Sequence, residues 1–267
     1  ICFLVIIQKM KKKSNSQYLL VIAFLVLVVV VFFYRRRNPL KSKYSIVSRV
    51  EHFFDRFSSD PYDDYGYDGI DVSKHNGHIL WDKVASDTNA KFVYIKATQG
   101  DRIADKRYYE NLRGARAAGL LVGSYHFFTS KSSAVMQFLN FKNHATVADQ
   151  DLTPVLDVEE GGIGSRWTRE QMQDSVAVFV ALVKEHYGKL PVIYSNEHYY
   201  NTMLAPRFNN HYLFIANYNG KSPTIAEDGR ANLWQYSESG HIRGVGERVD
   251  LIRLVNGTKL EKLLLNE

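Results

Sequence analysis

Two acids stand two residues apart after a short apolar run: Asp157 and Glu159, in PVLDVEE. On an extended strand, residues i and i+2 share a face with Cα atoms about 6–7 Å apart. Both side chains then enter one space, and the preceding Val155 and Leu156 make that space apolar. Crowded carboxylates in a poorly solvated site cannot all ionise cheaply, so at least one pKa rises. A carboxyl that stays protonated near neutral pH can act as a general acid. Glycoside hydrolysis needs that pairing: a proton for the leaving oxygen and negative charge beside a developing oxocarbenium ion. Two further acids lie in apolar runs, Asp71 in GIDV and Asp250 in RVDL. Glu160 continues into GGIG and reads as a solvated loop charge.

Aromatic residues accompany these acids. Tyr125, Tyr194, Tyr218 and Trp234 all fall at or just after the ends of apolar runs. Sugars present apolar C–H faces, so rings beside acids suit a glycan, and Trp234 in LWQY is the expected stacking ring. Phe127 and Phe128 read as core. Lys96 ends another run in YIKATQG, where a lysine needs an acid partner; pairing with a carboxylate is expected rather than a nucleophilic role. His75 and His78 lie three apart in a glycine-containing loop, a weak metal pair. A metal-dependent hydrolase therefore stays open as a rival.

The elements that must hold these residues follow a repeating rhythm from residue 67. Apolar, β-rich runs at 69–72, 92–97, 121–126, 154–158 and 191–194 alternate with helical patterns near 79–87, 106–118, 133–147, 168–187 and 197–204. Thr168 with Gln171 makes a capping-box start, and Gly119 and Gly188 stand where helix C-terminal caps belong. Three more runs, 212–216, 232–236 and 248–252, follow with no convincing helix between them. Strands alternating with helices predict a parallel sheet. Eight strands in about 200 residues predict closure into a TIM-like barrel, whose active groups gather at the C-terminal strand ends. The fold class is α/β: a modified barrel of five βα units followed by three strands with reduced helices. An open doubly wound sheet is the alternative. It would normally keep its helices, and GIDVSKHNG lacks the G-x-G-x-x-G phosphate loop.

The remaining sequence reads as an address. Residues 18–34 are uncharged and apolar, between Lys11–Lys13 and Arg35–Arg37. Seventeen helical residues span about 26 Å, the short end for a bilayer. No A-x-A-like site follows, which favours an uncleaved signal anchor over a cleaved signal peptide. A basic segment, 1–17, precedes it; Met10 before three lysines looks like a natural start, which would make residues 1–9 artefactual. Residues 35–66 form a stalk with helical spacing of Ile46, Val50, Phe53 and Phe57, ending in the turn-rich SSDPYDDYGY. The globular part is 67–267.

Charge supports this division. Of 34 Lys+Arg and 28 Asp+Glu, residues 1–65 hold 11 and 5, leaving 23 of each in residues 66–267. The globular part is neutral, which sets nucleic-acid binding aside. The lone cysteine, Cys2, excludes a disulfide framework, a zinc–thiolate site and a Cys nucleophile.

Taken in order, GIDVSKHNG, FVYIKATQG, AAGLLVGSYHFF, PVLDVEE, PVIYSN, LWQYS and VDLI resemble family 25 glycoside hydrolases, the Chalaropsis-type lysozymes. The resemblance covers about residues 67–255. It implies a barrel of five βα units and three further strands, and hydrolysis of the β-1,4 bond between N-acetylmuramic acid and N-acetylglucosamine in peptidoglycan, without a cofactor. It implies Glu159 as proton donor and Asp157 as its partner, orienting a substrate acetamido group that acts as nucleophile with retention. Asp71 and Asp250 match further acids of the site, and Tyr125, Tyr194 and Trp234 match aromatic cleft positions. One departure stands out: the family's K-A-T-E-G reads KATQG here, with Gln99 for the acid. A wall-binding module that has lost turnover is therefore a second alternative. The expected partners are peptidoglycan strands and, through the anchor, a membrane. The chain is expected to be a monomer with its barrel outside the cytoplasm, or secreted if the N-terminal segment is cleaved.

Overall fold

Strands that are apolar on both faces need cover on both faces. Here helices supply it outside and a filled barrel supplies it inside. The computed structural model describes residues 66–86, 89–164 and 167–266. The expected basic segment, anchor and stalk up to residue 65 lie outside the described residues. Among those described, no helix is long and apolar enough to cross a membrane.

Eight strands close the barrel: β1 (Gly69–Val72), β2 (Phe92–Gln99), β4 (Leu121–Phe127), β5 (Val155–Asp157), β6 (Val192–Asn196), β7 (Leu213–Ala216), β8 (Ala231–Gly240) and β9 (Val249–Leu254). A two-residue β3 (Ile103–Ala104), unforeseen in the sequence, pairs antiparallel with the end of β2. The order is β1-β9-β8-β7-β6-β5-β4-β2, and the β1–β2 pairing completes the ring. Helices α1 (Trp81–Ala85), α2 (Tyr108–Ala117), α3 (Ala134–His144), α4 (Arg169–Tyr187) and the short α5 (Glu197–Tyr199) follow β1, β3, β4, β5 and β6. Five βα units and three strands with reduced connections are thus present.

One strand departs from the expected parallel arrangement: β9 runs antiparallel to both β8 and β1. Only residues 241–248 join β8 to β9, too few for the crossover of a dozen or more residues that a parallel return needs. The start of β9, not its end, therefore meets the C-terminal rim of the other strands.

The longest helix shows how local sequence sets the scaffold. Thr168 accepts from the Gln171 amide N–H and Gln171 Oε1 accepts from Thr168 N–H, at 3.2 and 3.0 Å. Gly188 ends α4 in the left-handed region, φ 81°, where a Cβ would be strained. Met172, Val176, Phe179, Val180 and Val183 form its buried stripe, at helical spacing. They belong to the same outer core as the outward residues of the barrel wall, and Phe179 packs on His126 and Phe128 and on Phe138 and Phe141 of α3.

The inner core is smaller. Phe92, Tyr94, Val155, Val192, Phe214, Leu233 and Ile252 fill the barrel, and Leu263 from a C-terminal 3-10 turn (Leu260–Leu263) packs with them. Gly123 makes room for Tyr94: a Cβ there would lie 2.3 Å from the ring. Above this layer the inward positions turn polar.

His126 faces outward from β4, fully buried between Thr98 Oγ1 (2.7 Å) and Gln137 Oε1 (3.2 Å) and stacked on Phe179 at 4.9 Å. Burial depresses its pKa to about 3, so the native state holds it neutral while the unfolded chain protonates it near 6.5. The stability it contributes is complete above about pH 6.5 and is lost as pH falls through that window towards about 3. Thermal melts of His126→Gln should therefore decline less steeply than wild type between pH 6.5 and 4, by at most one proton's worth of slope.

Candidate active site

The parity of the strands decides which side chains reach the rim. Asp71, Lys96, Tyr125, Asp157, Tyr194, Gln235 and Asp250 all project inward above the apolar filling, with Glu159 just beyond the end of β5. With Phe127, Ser73 and His75 they line a cavity of about 200 Å³ floored by Tyr94, Val155 and Phe214. The four expected acids meet there. Asp71 and Asp250 are direct cross-strand partners in the β1–β9 pair. The antiparallel turn of β9 is what brings Asp250 to this end.

The chain beyond β5 is tied down by backbone bonds. Phe128 N–H donates to the Asp157 carbonyl at 2.8 Å and Val158 N–H to the Tyr194 carbonyl at 2.9 Å. Gly162 N–H then donates to the Glu159 carbonyl at 3.0 Å, and Ser130 N–H to the Gly162 carbonyl at 3.0 Å. The turn packs so closely that a Cβ on Gly162 would lie 2.1 Å from the Phe128 carbonyl oxygen. Gly162→Ala must push the turn outward and carry Glu159 with it. A displacement near 1 Å costs on the order of 100-fold in rate. The expected result is that loss in kcat/KM with a melting temperature changed by only a few degrees, because the turn meets the outer core at its edge, through the half-buried Ile163.

Charge in the cavity is lopsided: four carboxyls face Lys96, the only lysine or arginine among the lining residues. Asp157 is 7% exposed and Asp71 8%. Burial, then the charge of Glu159, hold Asp157 well above the usual carboxylate range, with Lys96 pulling it back. Burial also raises Glu159, again opposed by Lys96. Asp71 is raised by burial and by Asp250, and burial pushes Asp250 up to about 6. Lys96 itself is lowered by burial, against the attraction of Asp157, Asp105 and Glu159. Asp157 Oδ1 is buried and has no hydrogen-bond partner among the described residues.

Several expected neighbours sit differently. No carboxylate lies within ion-pair distance of Lys96 among the described residues. Its Nζ donates instead to Gln99 Oε1 at 3.1 Å and lies 4.5 Å from the Phe127 ring centre. A bulge between Lys96 and Thr98 turns Gln99 back towards Lys96. Trp234 does not line the cavity. Alternation along β8 sends Leu233 and Gln235 inward and Trp234 outward, where it is 6% exposed in the outer core and donates to the Asn217 carbonyl at 2.7 Å. Tyr218 stands beside the rim, half exposed, and meets the site at Gln235, with Tyr194 close by. His75 lines the cavity while His78 bonds Glu110 at 2.8 Å, so the two do not converge. Among the described residues no group of three or more His, Cys, Asp or Glu is arranged to hold a metal ion. Sequence reasoning missed Gln235; its signal was a lone amide at the inward parity of an aromatic-rich strand.

Residues 70–245 match the family model described as glycosyl hydrolases family 25. Lysozyme M1 of Streptomyces globisporus is 31% identical over 219 residues, covering 77% of this chain and 73% of that protein. An uncharacterized protein of Escherichia coli K12, YegX, is 34% identical over 199 residues, 73% of this chain and 71% of its own. Among solved structures, the bacterial lysozyme from Streptomyces coelicolor superposes with a TM-score of 0.65 at 30% identity, covering 75% of this chain and 96% of that one. A family 25 glycosyl hydrolase from Bacillus anthracis gives 0.66 at 28% identity, with 75% and 93% covered.

Proposed function

The chain belongs to glycosyl hydrolase family 25, and from that premise we propose that it is a peptidoglycan muramidase, cleaving the β-1,4 bond from N-acetylmuramic acid to N-acetylglucosamine. The observation that carries this reading is the paired Asp157 and Glu159 in an open-mouthed cavity at the barrel rim, both raised by burial. Glu159, half buried and raised, holds a proton for the glycosidic oxygen. Asp157, which lines the cavity, offers its carboxylate to the N–H of the substrate's 2-acetamido group. That contact turns the acetamido oxygen towards the anomeric carbon and stabilises the positive charge the group gains on attack. The leaving sugar departs with Glu159's proton. Glu159, now a base, activates water to open the cyclic intermediate, and the configuration is retained.

Other side chains shape the cleft. Tyr125 and Tyr194 present rings to the sugar, and Asp71 and Asp250 hold the far side of the cavity. Lys96 supplies positive charge that limits how far Asp157 and Glu159 rise. Lysozyme M1 and the Streptomyces coelicolor lysozyme support the substrate class by similarity.

The N-terminal proposal stands on sequence: residues 18–34 anchor the chain in a membrane, 35–66 form a stalk, and the barrel at 67–267 works as a monomer outside the cytoplasm. Cleavage of the segment would make it secreted.

Digestion of purified peptidoglycan, followed by mass spectrometry of reduced fragments, tests the activity. New N-acetylmuramic acid reducing ends support it. Wall binding with no new ends would replace it with a binding module, and activity abolished by chelator and restored by metal would replace it with a metal-dependent hydrolase.

A further inference from the structure

One buried polar side chain in the cavity takes no part in the steps above. Gln235 is 2% exposed. Its Oε1 accepts from Tyr194 Oη at 2.9 Å and from Tyr218 Oη at 2.5 Å, and its Nε2 donates to Asp71 Oδ2 at 2.7 Å. Two phenols occupy both lone pairs of the amide oxygen, which fixes the amide's direction. The flipped amide would set its carbonyl against a carboxylate. Asp71 Oδ2 is therefore an acceptor. Across the β1–β9 pair, Asp71 and Asp250 are direct partners, and two buried carboxyls that close cannot both ionise cheaply, so they hold one proton between them.

Resting on the muramidase reading, we propose that Gln235 is a positioning residue: clamped by Tyr194 and Tyr218, it keeps Asp71 Oδ2 as an acceptor and confines one proton to the Asp71–Asp250 contact, so that the pair stands as a single fixed negative charge opposite Asp157 and Glu159. The groups that face this pair are Asp157 from β5, Glu159 beyond it, Lys96 from β2, Tyr125 from β4, Tyr194 from β6, Tyr218 after β7, Glu238 from β8 and His75 after β1. Burial puts the pair's second protonation at about 6, while burial and the repulsion between the two carboxyls keep the last proton well above the carboxylate range; both steps belong to the pair, so a donor to Asp71 acts on each. Between those limits the charge opposite the acid is constant.

The test is a carboxyl NMR titration of the full chain labelled with [13C]aspartate, alongside the pH profile of kcat/KM on peptidoglycan. Wild type should show one coupled aspartate pair with a step near pH 6, lost in Asp250→Asn. Gln235→Leu removes the donor to Asp71. It should move both the NMR step and the acid limb of kcat/KM up by about one pH unit. Tyr218→Phe, at an exposed ring, should move both the same way by less, and it decides the matter if Gln235→Leu does not fold. Lower activity with an unmoved step and limb in these variants would make Gln235 merely structural and overturn the proposal. A wild-type step that moves as described, in a chain that releases no reducing ends, would instead overturn the muramidase reading and leave the assignment of Gln235 standing.

Discussion

Glu159→Gln should abolish glycan cleavage while leaving the fold intact. The amide keeps the size of the carboxyl and its hydrogen-bonding reach, but has no proton to give at any working pH. General acid catalysis supplies about 10²–10⁴-fold. An amino sugar whose leaving oxygen departs unprotonated loses the upper end of that range, so reducing-end release should fall by about 10³-fold or more. KM should change little, because the side chain is lost to the transition state and not to ground-state binding. Stability should hold or rise: Glu159 belongs to neither core, and burial raises it. The folded state thus binds its proton more tightly than the unfolded chain. That group costs stability at pH above its raised pKa, and the cost disappears as pH falls below its unfolded value. Gln removes the cost. Cleavage by Glu159→Gln at wild-type rate, in protein with a native melt, would sink the assignment of the acid.

What the sequence could reveal depended on how far apart the determinants lie. Asp157 and Glu159 are i and i+2 on one strand, so their shared face follows from backbone geometry alone. The capping box of Thr168 and Gln171 is equally local, and α4 begins there. Trp234 failed for a specific reason. Alternation says that Trp234 and Tyr236 share one face of β8 and Leu233 and Gln235 the other. It does not say which face looks into the barrel when both are buried. That depends on the register with β7 and β9, set by residues far away.

Three other features carried weaker signals. The direction of β9 was legible in the eight residues before it, which cannot make a crossover, although the run of strands suggested continued parallel pairing. The contact of Lys96 with Gln99 needed a bulge at the end of β2 that no residue pattern announces. The turn at Leu260–Leu263 is four residues of ordinary composition, and only the barrel's inner core gives its Leu263 a place.

Asp157→Asn should separate the two carboxylates of the pair. In the proposed reaction the Asp157 carboxylate accepts the acetamido N–H, and its charge faces the positive intermediate. An asparagine that keeps its oxygen towards the N–H loses the charge; one that turns its NH2 there opposes a donor with a donor. Losing one preorganised electrostatic partner in a water-poor site costs about 10²–10³-fold, and kcat should carry most of it. Stability should move the other way. Asp157 is 7% exposed and raised by burial and by Glu159, so above its folded pKa the native state holds a crowded buried charge that asparagine lacks. The melting temperature near neutral pH should rise, and the gain should shrink as pH falls and the wild-type carboxyl takes up its proton. The pH profile adds an independent mark. Repulsion between Asp157 and Glu159 is mutual, so with Asp157 neutral Glu159 ionises more readily and the alkaline limb of the residual kcat/KM should shift to lower pH. A variant with reduced rate, raised stability and an unmoved alkaline limb would place Asp157 outside the electrostatic reach of the acid and return its effect to substrate binding alone.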